Sequence, residues 1–353
     1  MKRKGGINRT GPGLWYAGFL IILIFTQMSA ADQSSPDASM GDRPLVISGS
    51  TWITDTPTRI AAAANLFESS TGPFIRVEQG DSGKQSLERL MAGDADFALM
   101  ASVPLAMALV RLHHEVAPAE RWPVILASVG LSSRTHHVIA DGSRGIEQPD
   151  DLAGHALGLL PDSSAHFGWD YFAALHGIDA DVVQLVEVRP DELAAGLAAG
   201  RLGAAVAWTP FSEQIMAQLG PNARSFPLQG LDTVSWLLVT RRDVLAAHPE
   251  AVDRILRGYA AAIDLLQTEP GRAAELLGLA PDWQQNQGVA WKLTLDWPVI
   301  ANMESKLQWS AQRLGVAPVH LGPGRYIARE PLENFRPRAV ALPLWVPVGQ
   351  TEQ

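Results

Sequence analysis

Short apolar runs, interleaved with helix-length amphipathic stretches, restrict this chain more than any other feature. Leu45-Val46-Ile47, Phe74-Ile75-Arg76-Val77 and Phe97-Ala98-Leu99-Met100 read as strands. Between them, Pro57 suits the first turn of a helix whose Ile60, Ala64 and Phe67 share one face. Ser86 to Met91 form a second helix, stopped by Gly93. Strands separated by helical patterns of about 10–15 residues demand parallel βαβ crossovers, so the fold class is α/β.

A second series begins near Arg134. Val138-Ile139-Ala140, Ala156 to Leu160, Val182 to Val188 and Ala204 to Ala207 read as strands. One intervening helix carries Phe167, Tyr171 and Leu175 at four-residue spacing and stops at Gly177; the next carries Leu193 and Leu197 and stops at Gly200. Ala92-Gly93-Asp94-Ala95-Asp96 is echoed by Ala199-Gly200-Arg201-Leu202-Gly203, as two lobes built on one plan would produce. From Val234 come a further strand, Trp236 to Val239, and a long helix from Pro249 burying Val252, Ile255, Leu256, Tyr259, Ile263 and Leu266. Helical segments are expected over roughly Ala273 to Leu314. The prolines after His320 predict an extended tail.

The N-terminus reads as an export signal. Lys2, Arg3, Lys4 and Arg9 precede an uncharged run, Leu14 to Phe25, of 12 residues. That fits a signal-peptide core and falls short of the ~20 residues that span a bilayer. Ser29-x-Ala31 supplies a small-x-small cleavage site before Asp32, and an uncleaved anchor is the alternative. Removing residues 1–31 takes four positive charges from 28 Lys and Arg, leaving 24 against 37 acidic residues. The resulting net charge of −13 argues against nucleic acid or an anionic membrane as partner. With no cysteine, disulfides, thiol lipidation and Cys-based metal or redox chemistry are excluded. Roughly 320 mature residues exceed the size at which single cores stop growing, so two lobes are the default.

Catalytic and metal motifs fail on inspection. Gly80-Asp81-Ser82-Gly83-Lys84 lacks the Ser or Thr and the upstream Gly of a phosphate-binding loop, where Gln85 and Glu78 stand instead. No G-x-S-x-G elbow occurs. The segment is better read as a strand-to-helix loop whose free N–H groups face a ligand. His113-His114 and His136-His137 are adjacent pairs, whose members point to different faces and make no ligand set. Neither a metal nor a cofactor is expected. Pro161 to His166 leads from a strand into a helix, where Asp162 or Ser163 serves as cap and an anion would meet the helix dipole.

In open α/β sheets ligands bind beyond the carboxyl ends of strands. Trp52, Ser82, Ser102, Ser163, Trp208 and Asp232 lie at such ends and together suggest a lined cleft. Of the remaining indoles, several among Trp283, Trp291, Trp297 and Trp309 are expected in the core.

Gly145 to Gly154 with Leu152-Ala153-Gly154, then Ala156-Leu157-Gly158-Leu159 and Ser163-Ser164-Ala165-His166-Phe167, resemble the type II periplasmic binding proteins of the nitrate/sulfonate/taurine group. Gly177-Ile178-Asp179, Val206 to Phe211 and His248 to Val252 follow in the same order, so the resemblance covers about Leu45 to Leu277. It implies a Venus-flytrap architecture: residues 44–133 plus 234–320 as one lobe, 134–233 as the other, with a Pro-rich tail over 321–353. It further implies a monomeric periplasmic protein, not an enzyme, that delivers a small ligand to an ABC permease. Carried over by position, Ser50, Thr51, Trp52, Asp81, Ser82 and Ser102 would line one lobe, and Ser163, Ser164, His166, Trp208 and Thr209 the other. Asp232, near the return crossing, would suit a ligand amine or heterocyclic N–H. Sulfonate- or nitrate-like anions are favoured over a thiamine-type pyrimidine, although no Arg or Lys falls within the matched positions; Lys84 and Arg134 are near. A signalling partner in place of a permease is the alternative role. The pyrimidine synthases of similar fold depend on a Cys-rich segment this chain lacks.

Overall fold

A computed structural model describes residues 43–50, 55–69, 72–228, 230, 232–280, 283 and 288–343. Residues 1–31, expected to be an export signal, lie outside the described residues, as do Thr51, Trp52, residues 344–353 and the side chain of Ser50.

The chain opens as expected. β1 (Leu45–Ser50), α1 (Thr56–Ala63), β2 (Ile75–Gly80), α2 (Gly83–Ala92) and β3 (Phe97–Ala101) form two crossovers, with β1 pairing β2 and β3 in parallel. After α3 (Ser102–His114), β4 (Pro123–Ser132) is buried almost throughout, as befits a strand covered on both faces. The chain crosses at residues 133–135 into a second sheet. There β5 (His136–Asp141), β6 (Ala156–Leu159), α4 (Ser164–His176), β7 (Gln184–Glu187), α5 (Leu193–Ala198), β8 (Ala204–Trp208), α6 (Phe211–Leu219) and β9 (Ala223–Pro227) follow in turn. The sheet order is β7-β6-β8-β5-β9, with β5 antiparallel to both β8 and β9.

The chain then returns to the first sheet. β10 (Val234–Arg241) inserts antiparallel between β3 and β4. α7 (Arg242–Ala247), α8 (Pro249–Thr268) and α9 (Pro270–Leu277) follow, and α8 buries all six of the side chains its periodicity selects. Of the stretch expected to be helical from Ala273 to Leu314, the end of α9 and α10 (Trp297–Leu314) are helices, and β11 (Ala290–Asp296) between them is a strand instead. Trp291, Leu293 and Leu295 alternate inward, and that period of two outweighs the helical signal around it.

The tail departs from expectation. Pro331 begins a short helix, α11 (Glu330–Phe335), because proline is preorganised for a first turn. β12 (Val340–Ala341) then pairs with β11, completing the order β12-β11-β4-β10-β3-β1-β2. Tyr326, Ile327 and Leu332 belong to the core of the first sheet.

One helix turns a different face from the one its spacing suggested. In α4, Tyr171 is 46% and Leu175 62% exposed. The neighbouring stripe, Ala165, Trp169, Phe172 and Ala173, fills the second core instead. Two apolar stripes satisfied the same periodicity, and only packing chose between them. Trp283, Trp291 and Trp309 are buried as expected, and Trp297 is exposed.

Candidate ligand-binding cleft

Beyond the ends of β2, β3, β6 and β8 lies a cleft that opens to solvent. The first sheet and its helices contribute Asp55, Ser82, Gly83, Lys84, Ala101 and Trp236; the second contributes His136, Leu160, Ser163, Ser164 and Trp208. Leu99, Met100 and Pro104 complete an apolar side.

Three helices begin at this cleft. Ser82 caps α2, its Oγ accepting from the Gln85 N–H at 3.3 Å, while Gln85 Oε1 accepts from the Asp81 N–H at 2.7 Å. A Cβ at Gly83 would lie 3.1 Å from Met100 Cα, so the close seating of α2 on β3 calls for glycine there. Ser163 caps α4, accepting from the Ala165 N–H at 3.2 Å and donating to the Leu160 carbonyl at 2.7 Å. α3 starts between them without a side-chain cap on Ala101. First-turn N–H groups and the helix dipoles therefore meet beside the Lys84 ammonium, and each dipole favours a nearby anion by ~0.3–2 kcal/mol.

Asp55 sits opposite in character, a carboxylate 2% exposed at the start of α1. Its Oδ1 accepts from Thr58 Oγ1, which lies 2.7 Å from the Tyr259 hydroxyl. A Cβ on Gly49 would fall 2.1 Å from Asp55 Oδ2, so any other residue there would displace this carboxylate.

His136 holds the floor. Its Nδ1 lies 3.0 Å from Thr135 Oγ1 and its Nε2 2.9 Å from Ser164 Oγ, with the ring centroid 5.6 Å from that of Trp208. Burial, and then the charges of His137 and Lys306, push its pKa from 6.5 down to about 3. The unfolded chain thus takes up a proton near pH 6.5 that the folded one refuses until about pH 3, so this group makes stability rise with pH across that window. We expect His136→Gln to flatten the dependence of unfolding free energy on pH there by up to ~1.4 kcal/mol per unit. Urea titrations at pH 4.5, 5.5 and 6.5 check it; parallel curves for the two proteins would reject it. His137 and His166, whose pKa values burial also lowers, are common to both.

Of the residues expected at the site, Ser82, Ser163, Ser164 and Trp208 come together here. Asp81 lies at the mouth, with Glu88, Arg189 and Asp191. Four others are elsewhere. Ser102 is buried at the first turn of α3, where its neighbours Ala101 and Pro104 reach the cleft and it does not. Thr209 is buried, its Oγ1 donating to Glu213 at 3.5 Å. His166 projects from the far side of α4, accepting the Asp162 N–H at 3.3 Å and packing edge-on to Trp309. Asp232 does not offer itself to a ligand amine in the cleft; it is ion-paired with Lys306 beneath the floor.

Asp55, at the start of α1, was missed; His136 and Trp236 were missed for a shared reason. The carboxyl-end rule selects parallel strands only. β5 and β10 run antiparallel to their neighbours, so their first residues arrive at the ligand end: His136 pairs with Trp208, and Trp236 with Ala101. Lys84 faces the cleft, whereas Arg134 lies against Gly288.

A family profile described as NMT1/THI5 like matches residues 69–273. The chain belongs to the NMT1/THI5-like family. A relative of this NMT1/THI5-like protein, the taurine-binding periplasmic protein of Escherichia coli K12, is 26% identical over 200 residues, 56% of this chain and 58% of the relative. The chain thus spans under two thirds of that relative's length. Among solved structures, the alkanesulfonate-binding protein SsuA of Xanthomonas axonopodis pv. citri bound to MOPS matches with a TM-score of 0.66 at 20% identity, covering 86% of this chain and 99% of that one. The desulfurization enzyme DSZB matches with a TM-score of 0.57 at 16% identity, covering 83% and 99%. These likenesses establish the two-lobed type II periplasmic-binding-protein fold for this NMT1/THI5-like chain, a fold that carries binding proteins and an enzyme alike.

Proposed function

We propose that the protein is an extracytoplasmic solute-binding protein that holds a small organic anion of the sulfonate class and delivers it to an ABC importer. The lobes would be divided at the two crossings, residues 133–135 and 228–233. The observation that carries this reading is the meeting of the α2, α3 and α4 N-termini beside Lys84. Such a ring of N–H donors suits a tetrahedral oxyanion. Trp208, Trp236, Leu99 and Leu160 would take the carbon portion, and Asp55 an amine at its other end. An amino-sulfonate uses all three features, and the taurine-binding relative supports that choice.

The Ser164–His136 contact has the spacing of a nucleophile and its base. It is unsuited to that role. A histidine with a pKa of about 3 is a weak base at neutral pH, and Thr135 offers no carboxylate to stabilise an imidazolium. The pair orients a hydroxyl for binding.

The test is calorimetry and thermal unfolding of residues 32–353 with taurine, short alkanesulfonates and nitrate. A ligand present at a hundred times its dissociation constant should add about 2.7 kcal/mol to stability. Lys84→Ala should weaken binding about 1.5- to 5-fold with the fold unchanged. Absence of any thermal shift with all three classes rejects the reading.

A further inference from the structure

Among the described residues, β12 and β2 form the edges of the first sheet, and β7 and β9 those of the second. An edge strand offers unpaired N–H and C=O groups to any extended chain, and proteins usually blunt it. Three of the four are blunted here. β12 has only two residues. β2 carries Glu78, ion-paired with both Arg76 and Arg89, and β9 ends in Pro227, with its Arg224 held by Glu147. β7 is Gln184-Leu185-Val186-Glu187, without proline, lysine, arginine or a bulge.

The ladder shows which backbone groups are left over. The Gln184 N–H donates to the His155 carbonyl at 3.1 Å and the Val188 N–H to the Leu159 carbonyl at 3.0 Å, so every second residue turns to β6. The alternation leaves the N–H and C=O groups of Leu185 and Glu187 facing outward. Beside this edge runs a groove lined by Tyr171, Ala174, Ile178 and Leu185, which Trp309 and Arg313 of α10 complete. Of the seven large hydrophobic side chains exposed among the described residues, four belong to α4, β7 and the link between them: Tyr171, Leu175, Val182 and Leu185. Apolar surface gathered in this way marks an interaction site.

Charge says what the site takes. Residues 134–233, which hold the whole second sheet, contain 13 Asp and Glu against five Arg and no Lys, a net of −8. Asp179, Asp181 and Glu187 stand exposed around the β7 edge, and within the groove Asp170 and Arg313 are of opposite sign. A second copy of so acidic a chain would be repelled. We propose that the β7 edge and its groove dock an extended, apolar and basic segment of another protein, which pairs with Leu185 and Glu187 as an added strand. In this mode main-chain bonds give affinity and side chains choose the partner. The apolar residues of the segment lie on Tyr171, Ile178 and Leu185, and its cations beside Asp179, Asp181 and Glu187. None of the groove's residues lines the ligand cleft, so the inference holds whatever the cleft binds.

Hydrogen exchange reads such pairing residue by residue. The probe is a hexapeptide alternating valine with lysine, and its counterpart carries glutamate in place of lysine. With the lysine peptide at about 1 mM, exchange at the Leu185 and Glu187 amides should slow at least ~5-fold. Gln184 and Val188, already bonded to β6, should keep their rates. The glutamate peptide should bind at least ~10-fold more weakly. Leu185→Pro removes an outward N–H and no bond to β6, a place where proline is tolerated, and should abolish the protection at Glu187. Leu175→Lys leaves the strand intact and should weaken the lysine peptide about 3-fold by repulsion and lost apolar contact. If Leu185→Pro does not fold, Leu175→Lys decides alone, and an unchanged affinity overturns the inference. Unchanged exchange at Leu185 and Glu187 in the parent protein also overturns it, as does equal binding of the two peptides. A concentration-dependent dimer of the free protein that Leu185→Pro abolishes would assign the edge to self-association instead.

Discussion

Lys306→Ala should be among the most damaging single substitutions in this protein, lowering stability by about 3–5 kcal/mol. The ammonium is enclosed by Asp232 and the Phe167 ring, with the side chain 2% exposed, and burial already lowers its pKa against the pull of Asp232. Alanine would leave Asp232 as a buried carboxylate with its cation gone. Its second oxygen, Oδ2, has no hydrogen-bond partner among the described residues to share the load. Domains of this size are stable by only about 5–15 kcal/mol, so the loss would be a large share of the total. Replacing both members, Lys306→Met with Asp232→Asn, should recover most of it, since an apolar or neutral pair costs no charge burial. Urea unfolding followed by tryptophan fluorescence decides the matter. A single variant as stable as the parent would mean that water reaches the pair.

Trp208→Ala should act twice. At a strand end, an indole reads simply as a ligand wall, and truncating a stacked indole typically costs binding at least ~10-fold. The structure adds a second role. Trp208 is 7% exposed, stands edge-on to Phe211 at 5.9 Å and belongs to the core of the second sheet. Removing a buried indole also costs ~3–5 kcal/mol of folding stability. The affinity loss therefore has to be read at a temperature where the variant is still folded, with Trp208→Phe as the control that keeps most of the packing. Calorimetry with taurine under those conditions gives the expected order: parent tightest, phenylalanine intermediate, alanine weakest. Equal affinities for all three would remove Trp208 from the ligand wall.

The architecture was legible where periodicity and punctuation agreed. α8, with proline in its first turn and six apolar residues on one side, follows its pattern residue for residue. α4 shows why pattern alone is insufficient: both Phe167-Tyr171-Leu175 and Trp169-Phe172-Ala173 have helical spacing, and only the second sheet's position says which faces inward. β11 was hidden because Trp291, Leu293 and Leu295 alternate over a span too short to stand out between two helices. Of the residues expected at the site, the cleft gathers Ser82, Ser163, Ser164 and Trp208, each at or just beyond the end of a strand with a parallel neighbour. His136 and Trp236, which line the same cleft without having been expected there, depend on strand direction, which needs the sheet order rather than the local sequence. Asp232 lies at a strand boundary like the others, and nothing near it in sequence announces a lysine 74 residues away.

The return of the chain to its first sheet also bears on how the protein is made. Every strand of the second sheet lies within residues 136–227, so that sheet can be completed from one continuous stretch. The first cannot. Ala101 must wait for Trp236, Gly130 for Trp291, and Ile125 for Ile327. Pairings so distant along the chain are slow, because loop closure is paid for before any contact rewards it. A growing polypeptide would therefore carry the apolar edges of β3 and β4 bare throughout synthesis of the entire second lobe, and a chaperone that recognises unpaired strands has its longest opportunity there.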